Sequence, residues 1–274
     1  MTVSIRASLL ISALAMAGLT AAFSAPPAQD HATPAPGPSA TEDSGAKPHS
    51  PHWSYGGEGG PEHWGDLGQD NRACSVGLQQ SPIDIAGALS ADVSAPTLHW
   101  TSASSAQVVN NGHTLQVNVA GSGRLELAGK DYDLKQFHFH HPSEHTIDGK
   151  TFPLEVHFVH AASDGDLAVI GVMFEPGAVN PALNPIWAVA PAKEGAAEAA
   201  GEIQLAAFRP KERALYRYEG SLTTPPCSET VHWTVMSQPI TASPSQIAAF
   251  AQLFPMNARP VQPLNRRYVL KTSG

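Results

Sequence analysis

Cysteine is nearly absent from this chain, with only Cys74 and Cys227 among 274 residues. They do not form a CxxC pair, which argues against a cysteine-held zinc cluster and a dithiol redox motif. Positive charge is also scarce: 16 Lys and Arg stand against 24 Asp and Glu, a formal net charge of −8. That balance argues against nucleic acid and anionic membrane surfaces as partners, and leaves a small neutral substrate open. Internal repeats are lacking, so a solenoid is not expected. The one long apolar run lies in the first two dozen residues and is short for a membrane span.

That run has the form of a secretory leader. Arg6 supplies a short positive start, Ala7 to Ala22 is apolar and uncharged, and Ala22-Phe23-Ser24 offers small residues for cleavage after Ser24. Residues 1–24 are therefore read as a signal peptide, and no stable membrane insertion is expected once it is cleaved. No cysteine lies near this end to carry a lipid. Residues 25–51 are rich in Pro, Ala, Ser and Gly without hydrophobic period, which predicts a disordered linker in which His31 and His49 are solvated. Residues 52–274 then form one domain. A periplasmic or secreted location follows, and an even cysteine count in an exported chain suggests a disulfide.

The densest chemistry lies between Gln136 and His160, which hold six of the chain's 13 histidines. His138 and His140 are two apart and would share one face of a strand, with Phe137 and Phe139 on the other. Leu154 to Val159 repeats the period, placing Glu155, His157 and Val159 on one face. If the two runs pair, three imidazoles converge. Neutral imidazoles suit zinc, and three protein ligands leave a fourth position for water, as catalytic sites do. Gln136 and Glu155 each stand two residues before a histidine, on its face, where they could hold its distal nitrogen. His138-x-His140-x-x-x-Glu144 also fits part of a cupin metal motif, but Tyr132 and Thr151 occupy the places where that motif needs glycine.

Around this segment the pattern is period-two runs cut by turns. Leu115, Val117 and Val119 alternate with polar residues, as do Leu125 and Leu127, and Asp148-Gly149 marks a turn between the two histidine strands. Leu167 to Phe174 is nearly all apolar, as in a strand covered on both faces. Asn180 to Gly201 predicts one or two short helices broken by Pro185 and Pro191. Ser243-Pro244-Ser245-Gln246 predicts a capped helix running to about Phe254.

In order and spacing, NNGH (110–113), QFHFH (136–140), SEHTIDGK (143–150), LEVHFVH (154–160) and SLTTPPCSE (221–229) resemble an α-class carbonic anhydrase of the bacterial, exported kind. The likeness runs from about Trp53 to about Leu270. It implies an α+β, mainly β fold: a large, twisted, mostly antiparallel sheet of about ten strands with short peripheral helices. It also implies reversible hydration of carbon dioxide to bicarbonate and a proton by a zinc-bound hydroxide, with His138, His140 and His157 as ligands. Weak esterase activity would follow from the same nucleophile. By resemblance, Thr223 orients the nucleophile and donates to Glu144, and Thr224 lines the bicarbonate side. Val159, Val169, Leu222, Val231 and Trp233 form the apolar wall for carbon dioxide. Gln136 serves His138, Glu155 serves His157, and the carbonyl of Asn257 serves His140. His145 is a structural histidine, and His141 faces away from the metal. His113 is the proton shuttle, with His52 as an alternative, and Tyr55 orders water along the proton path. The family's bacterial members pair cysteines at the positions of Cys74 and Cys227. The rival reading is a zinc-storage protein of the cell envelope, which would have no use for Thr223, Glu144 and the apolar wall. The oligomeric state stays open, a homodimer included.

Overall fold

The structure is a computed structural model that describes residues 52–272, apart from 93, 120 and 213. The leader and linker expected over residues 1–51 lie outside the described residues.

Eight strands frame the argument: β1 (Gln107–Asn110), β2 (Leu115–Asn118), β3 (Lys130–His140), β4 (Leu154–Ala161), β5 (Leu167–Pro176), β6 (Leu215–Gly220), β7 (Val231–Met236) and β8 (Leu270–Thr272). They belong to a 13-stranded sheet, along whose spine they run β1-β2-β3-β4-β5-β7-β6-β8. Ala197–Ala199 and Leu89–Ser90 close its two ends, so the spine has the expected ten strands. Most neighbours are antiparallel, but β5 with β7 and β8 with Leu89–Ser90 are parallel.

Alternation sets which face each residue takes. In β3 and β4, Phe137, Phe139, Val156 and Phe158 are fully buried and join Val117, Ile170 and Phe208 in the main core. On the other face, His157 stands opposite His138, Glu155 opposite His140 and Val159 opposite Gln136. Register is fixed because a slip of one residue would turn the phenylalanines into the polar site and the histidines into the core. The Asp148-Gly149 turn has both residues at positive φ, 49° and 74°, and leads from β3 back toward β4.

Two short helical turns, Pro181–Leu183 and Asn184–Trp187, occupy the region where broken helices are expected. Helix α1 (Pro244–Leu253) starts at a capping box in which Ser243 accepts from Gln246 N, and it lays Ile247 and Phe250 against the core. Among the described residues, no helix is long and apolar enough to cross a membrane.

Candidate metal centre

One ring nitrogen from each of His138, His140 and His157 lies within 4.8 Å of the others. Hydrogen bonds at the opposite nitrogens decide which atoms these are. His138 Nδ1 is 2.8 Å from Gln136 Oε1, His140 Nδ1 is 2.8 Å from the Asn257 carbonyl, and His157 Nε2 is 2.8 Å from Glu155 Oε1. Each partner is an oxygen that accepts, so each of those nitrogens carries the proton. The lone pairs of His138 Nε2, His140 Nε2 and His157 Nδ1 therefore face inward. His140 and His157 are buried, and His138 is partly open.

Glu155 does more than hold one imidazole. Its Oε1 also accepts from His145 Nδ1 at 2.8 Å, and its Oε2 accepts from the backbone N–H groups of Glu144 and His145, both at 2.9 Å. Burial pushes its acidity down, but His145 and His157 outweigh burial and hold the carboxyl well below the usual range. The same carboxylate leaves His157 raised, although burial alone pulls the ring the other way. Burial lowers His140, and lowers His138 to well below the ordinary imidazole value, keeping both neutral. Gly171, opposite His157 on β5, gives Glu155 its room: a Cβ there would come 2.9 Å from Glu155 Oε1.

Glu144 lies at the inner end of the cluster. Its Oε1 accepts from Arg259 N at 2.8 Å, and its Oε2 faces His140 Nε2 at 3.6 Å and His157 Nδ1 at 3.8 Å. Both Glu144 Oε2 and His140 Nε2 are buried without a hydrogen-bond partner among the described residues. Three inward lone pairs beside a buried carboxylate oxygen repel one another unless a cation sits among them. The donor set therefore fits zinc. The expected bond from Thr223 to Glu144 is not made: Oε1 accepts from Arg259 N and Oε2 has no partner among the described residues. Thr223 itself is buried, and Thr224 is half-buried in the same loop.

Trp233 joins the expected apolar residues to the trio. Val169, Val231 and Trp233 are buried in a second apolar cluster, with Val159 and Leu222 packed against it. The Trp233 ring lies 4.8 Å from His157 and its Nε1 donates to the Ser221 carbonyl at 2.9 Å. His141 turns away, its Nδ1 2.7 Å from the Pro153 carbonyl. Cys74 and Cys227 are bonded, with Cα atoms 5.0 Å apart. The bridge packs with Trp64, Trp53 and Tyr55, and its Cys227 directly follows the Thr223–Pro226 segment in sequence. His113 lies face to face on Trp53, ring centres 3.5 Å apart, with His52 stacked 5.0 Å away and Tyr55 at 6.5 Å. Burial and the neighbouring His52 lower His113, against a smaller upward pull from Glu194.

Three contributors escape sequence reasoning. His145 Nε2 meets the Tyr218 hydroxyl at 2.6 Å, which donates to Ser81 Oγ at 2.9 Å, extending the histidine network to the loop before the short strand Asp84–Ile85. Arg259 is 2% exposed and bonds Gln80 Oε1, Ser81 O and Cys74 O, each within 2.9 Å. Neither has a local pattern that could reveal it. Gly171 does have one, as a lone glycine inside an apolar strand, the mark of close approach.

A family model described as eukaryotic-type carbonic anhydrase matches residues 59–273. The carbonic anhydrase of Nostoc sp. is 47% identical over 226 residues, covering 80% of this chain and 86% of the relative. The solved α-carbonic anhydrase of Thermovibrio ammonificans, in complex with the inhibitor sulfanilamide, is 46% identical with a TM-score of 0.77, covering 80% and 98% of the two chains. Dioscorin, solved in complex with ascorbate, is 33% identical with a TM-score of 0.74 and covers 80% and 97%. The chain belongs to the α-class carbonic anhydrases. These are carbonate dehydratases, enzymes of the lyase class.

Proposed function

We propose that this chain hydrates carbon dioxide reversibly to bicarbonate and a proton, using zinc held by His138, His140 and His157. The observation that carries the reading is the convergence of three unprotonated ring nitrogens within 4.8 Å, each backed by an acceptor at its far nitrogen. Zinc bound there would supply a hydroxide nucleophile at neutral pH by lowering the pKa of its water to about 7, a value established on carbonic anhydrases themselves.

The protein's own part is orientation, exclusion and proton handling. Glu144, aimed by Arg259 N, is the acceptor toward which the Thr223 hydroxyl would turn, leaving the Thr223 oxygen free to accept a hydrogen bond from the nucleophile. Val159, Val169, Leu222, Val231 and Trp233 offer carbon dioxide, which has no dipole, an apolar wall. Thr224 would face the bicarbonate formed. His113 would accept the proton released in each cycle, with Tyr55 ordering water on the path; histidine is the side chain whose ordinary pKa suits that exchange near neutrality.

A storage protein could keep the trio, but the buried Glu144, the Thr223 loop and the apolar wall serve catalysis. The bonded cysteines support a periplasmic or secreted location, with residues 1–24 as leader, 25–51 as linker and 52–274 as the catalytic domain. The deciding experiment is stopped-flow carbon dioxide hydration on metal-stripped protein. Activity should return with one equivalent of zinc. An equal rate without zinc, or none with it, would overturn the reading.

A further inference from the structure

The backbone around His113 is tied on every side. Asn111 Oδ1 accepts from His113 N at 3.0 Å and from Thr114 N at 2.9 Å. The Asn257 carboxamide donates from Nδ2 to the carbonyls of His113 and Phe139, both at 2.9 Å, and its Oδ1 accepts from His141 N at 2.7 Å. The Thr114 hydroxyl donates to the Phe139 carbonyl at 2.6 Å and accepts from Phe139 N at 3.2 Å. Phe139 stands between two of the metal-binding histidines. We propose that Asn257 and Thr114 are positioning residues that fasten the backbone under His113 to the strand carrying His138 and His140. The placement of His113 relative to the strand carrying His138 and His140 is then set by these side-chain bonds.

The inference rests on the proton-acceptor reading of His113 and adds what sets its distance from the metal. Asn257 is 1% exposed and Thr114 is 5% exposed, so water does not compete for their bonds. Both ends of the strap are side-chain groups, whereas the support for His140 comes from the Asn257 main-chain carbonyl. The two roles of Asn257 are therefore separable by substitution. Proton transfer between fixed groups is steeply sensitive to placement, and a shift on the order of 1 Å can cost up to about a hundredfold.

The test uses the zinc-loaded protein and four substitutions. Thr114→Val removes the hydroxyl at near-constant shape. Asn257→Asp keeps the acceptor for His141 N and removes both donors. His113→Ala removes the proton acceptor. In dilute buffer, each strap variant should lose roughly tenfold in kcat, a larger factor than it loses in kcat/KM, and imidazole should restore most of the rate. Amide exchange at His113 and Thr114 should quicken in both, while Thr114→Ser, which keeps the hydroxyl, should behave as the parent. If His113→Ala loses no buffer-dependent rate, the reading of His113 fails and the proposal with it. If His113→Ala loses rate while both strap variants match the parent in kcat and amide exchange, the proposal alone fails.

Discussion

Strand β4 carries two fully buried histidines, His157 and His160, on opposite faces of one sheet. His157 points into the site, where Glu155 raises it against burial. His160 points into the core, where its Nε2 accepts from Trp100 Nε1 at 3.1 Å and its Nδ1 donates to the Phe158 carbonyl at 3.0 Å. Burial, opposed only weakly by backbone contacts with Phe158 and Ala168, lowers it to about 4. Equal burial thus gives opposite outcomes, and the neighbour decides which. A carboxylate at the far nitrogen makes the ring a strong donor of electrons to a metal, whereas an indole and a carbonyl make it a neutral structural link.

The sharpest way to separate the two faces is to empty one. His140→Ala or His157→Ala should abolish most zinc binding and nearly all hydration activity, while His160→Gln should keep its zinc. Metal analysis beside stopped-flow rates decides this. Full zinc at the parent's rate in a ligand variant would remove that residue from the site. A smaller effect is expected one shell out. Thr223→Ala and Glu144→Gln should retain zinc and slow hydration by roughly tenfold to a thousandfold, the range for losing an aligned transition-state hydrogen bond. An unchanged kcat/KM in either would dissolve the proposed orienting role.

The core face should show itself in stability. The folded pKa of His160 is about 4 and the ordinary value is 6.5, so the fold favours the neutral ring. Its contribution is complete above pH 6.5 and is lost as pH falls from 6.5 to 4, by about 3 kcal/mol in all. Urea midpoints across that window should fall less steeply in His160→Gln than in the parent. Parallel slopes would show that another group carries the acid sensitivity.

The face-sharing of His138, His140 and His157 was legible because a strand's period of two is local. So was the support from Gln136 and Glu155, each two residues from the histidine it bonds. The main-chain carbonyl of Asn257 had no such signature and entered only through family likeness. The Tyr218–Ser81 link and buried Arg259 were not legible at all, because loops remote in sequence bring those atoms together. The parallel pairing of β5 with β7 was likewise hidden, since a crossover containing β6 intervenes. The Thr223–Glu144 bond was expected and is not formed, and no local pattern sets how a loop hydroxyl turns toward a carboxylate remote in sequence.

Strand β8 has a consequence for how the molecule comes into being. It lies between β6 and Leu89–Ser90, pairing Leu270 with both Arg217 and Leu89, while the cystine joins positions 153 residues apart. Residues from opposite ends of the domain must therefore meet before its sheet is closed, and loop closure over such distances is slow. A chain emerging stepwise from the ribosome cannot finish that closure early. The last edge of the sheet and the cystine therefore form only after nearly the whole domain has been synthesised.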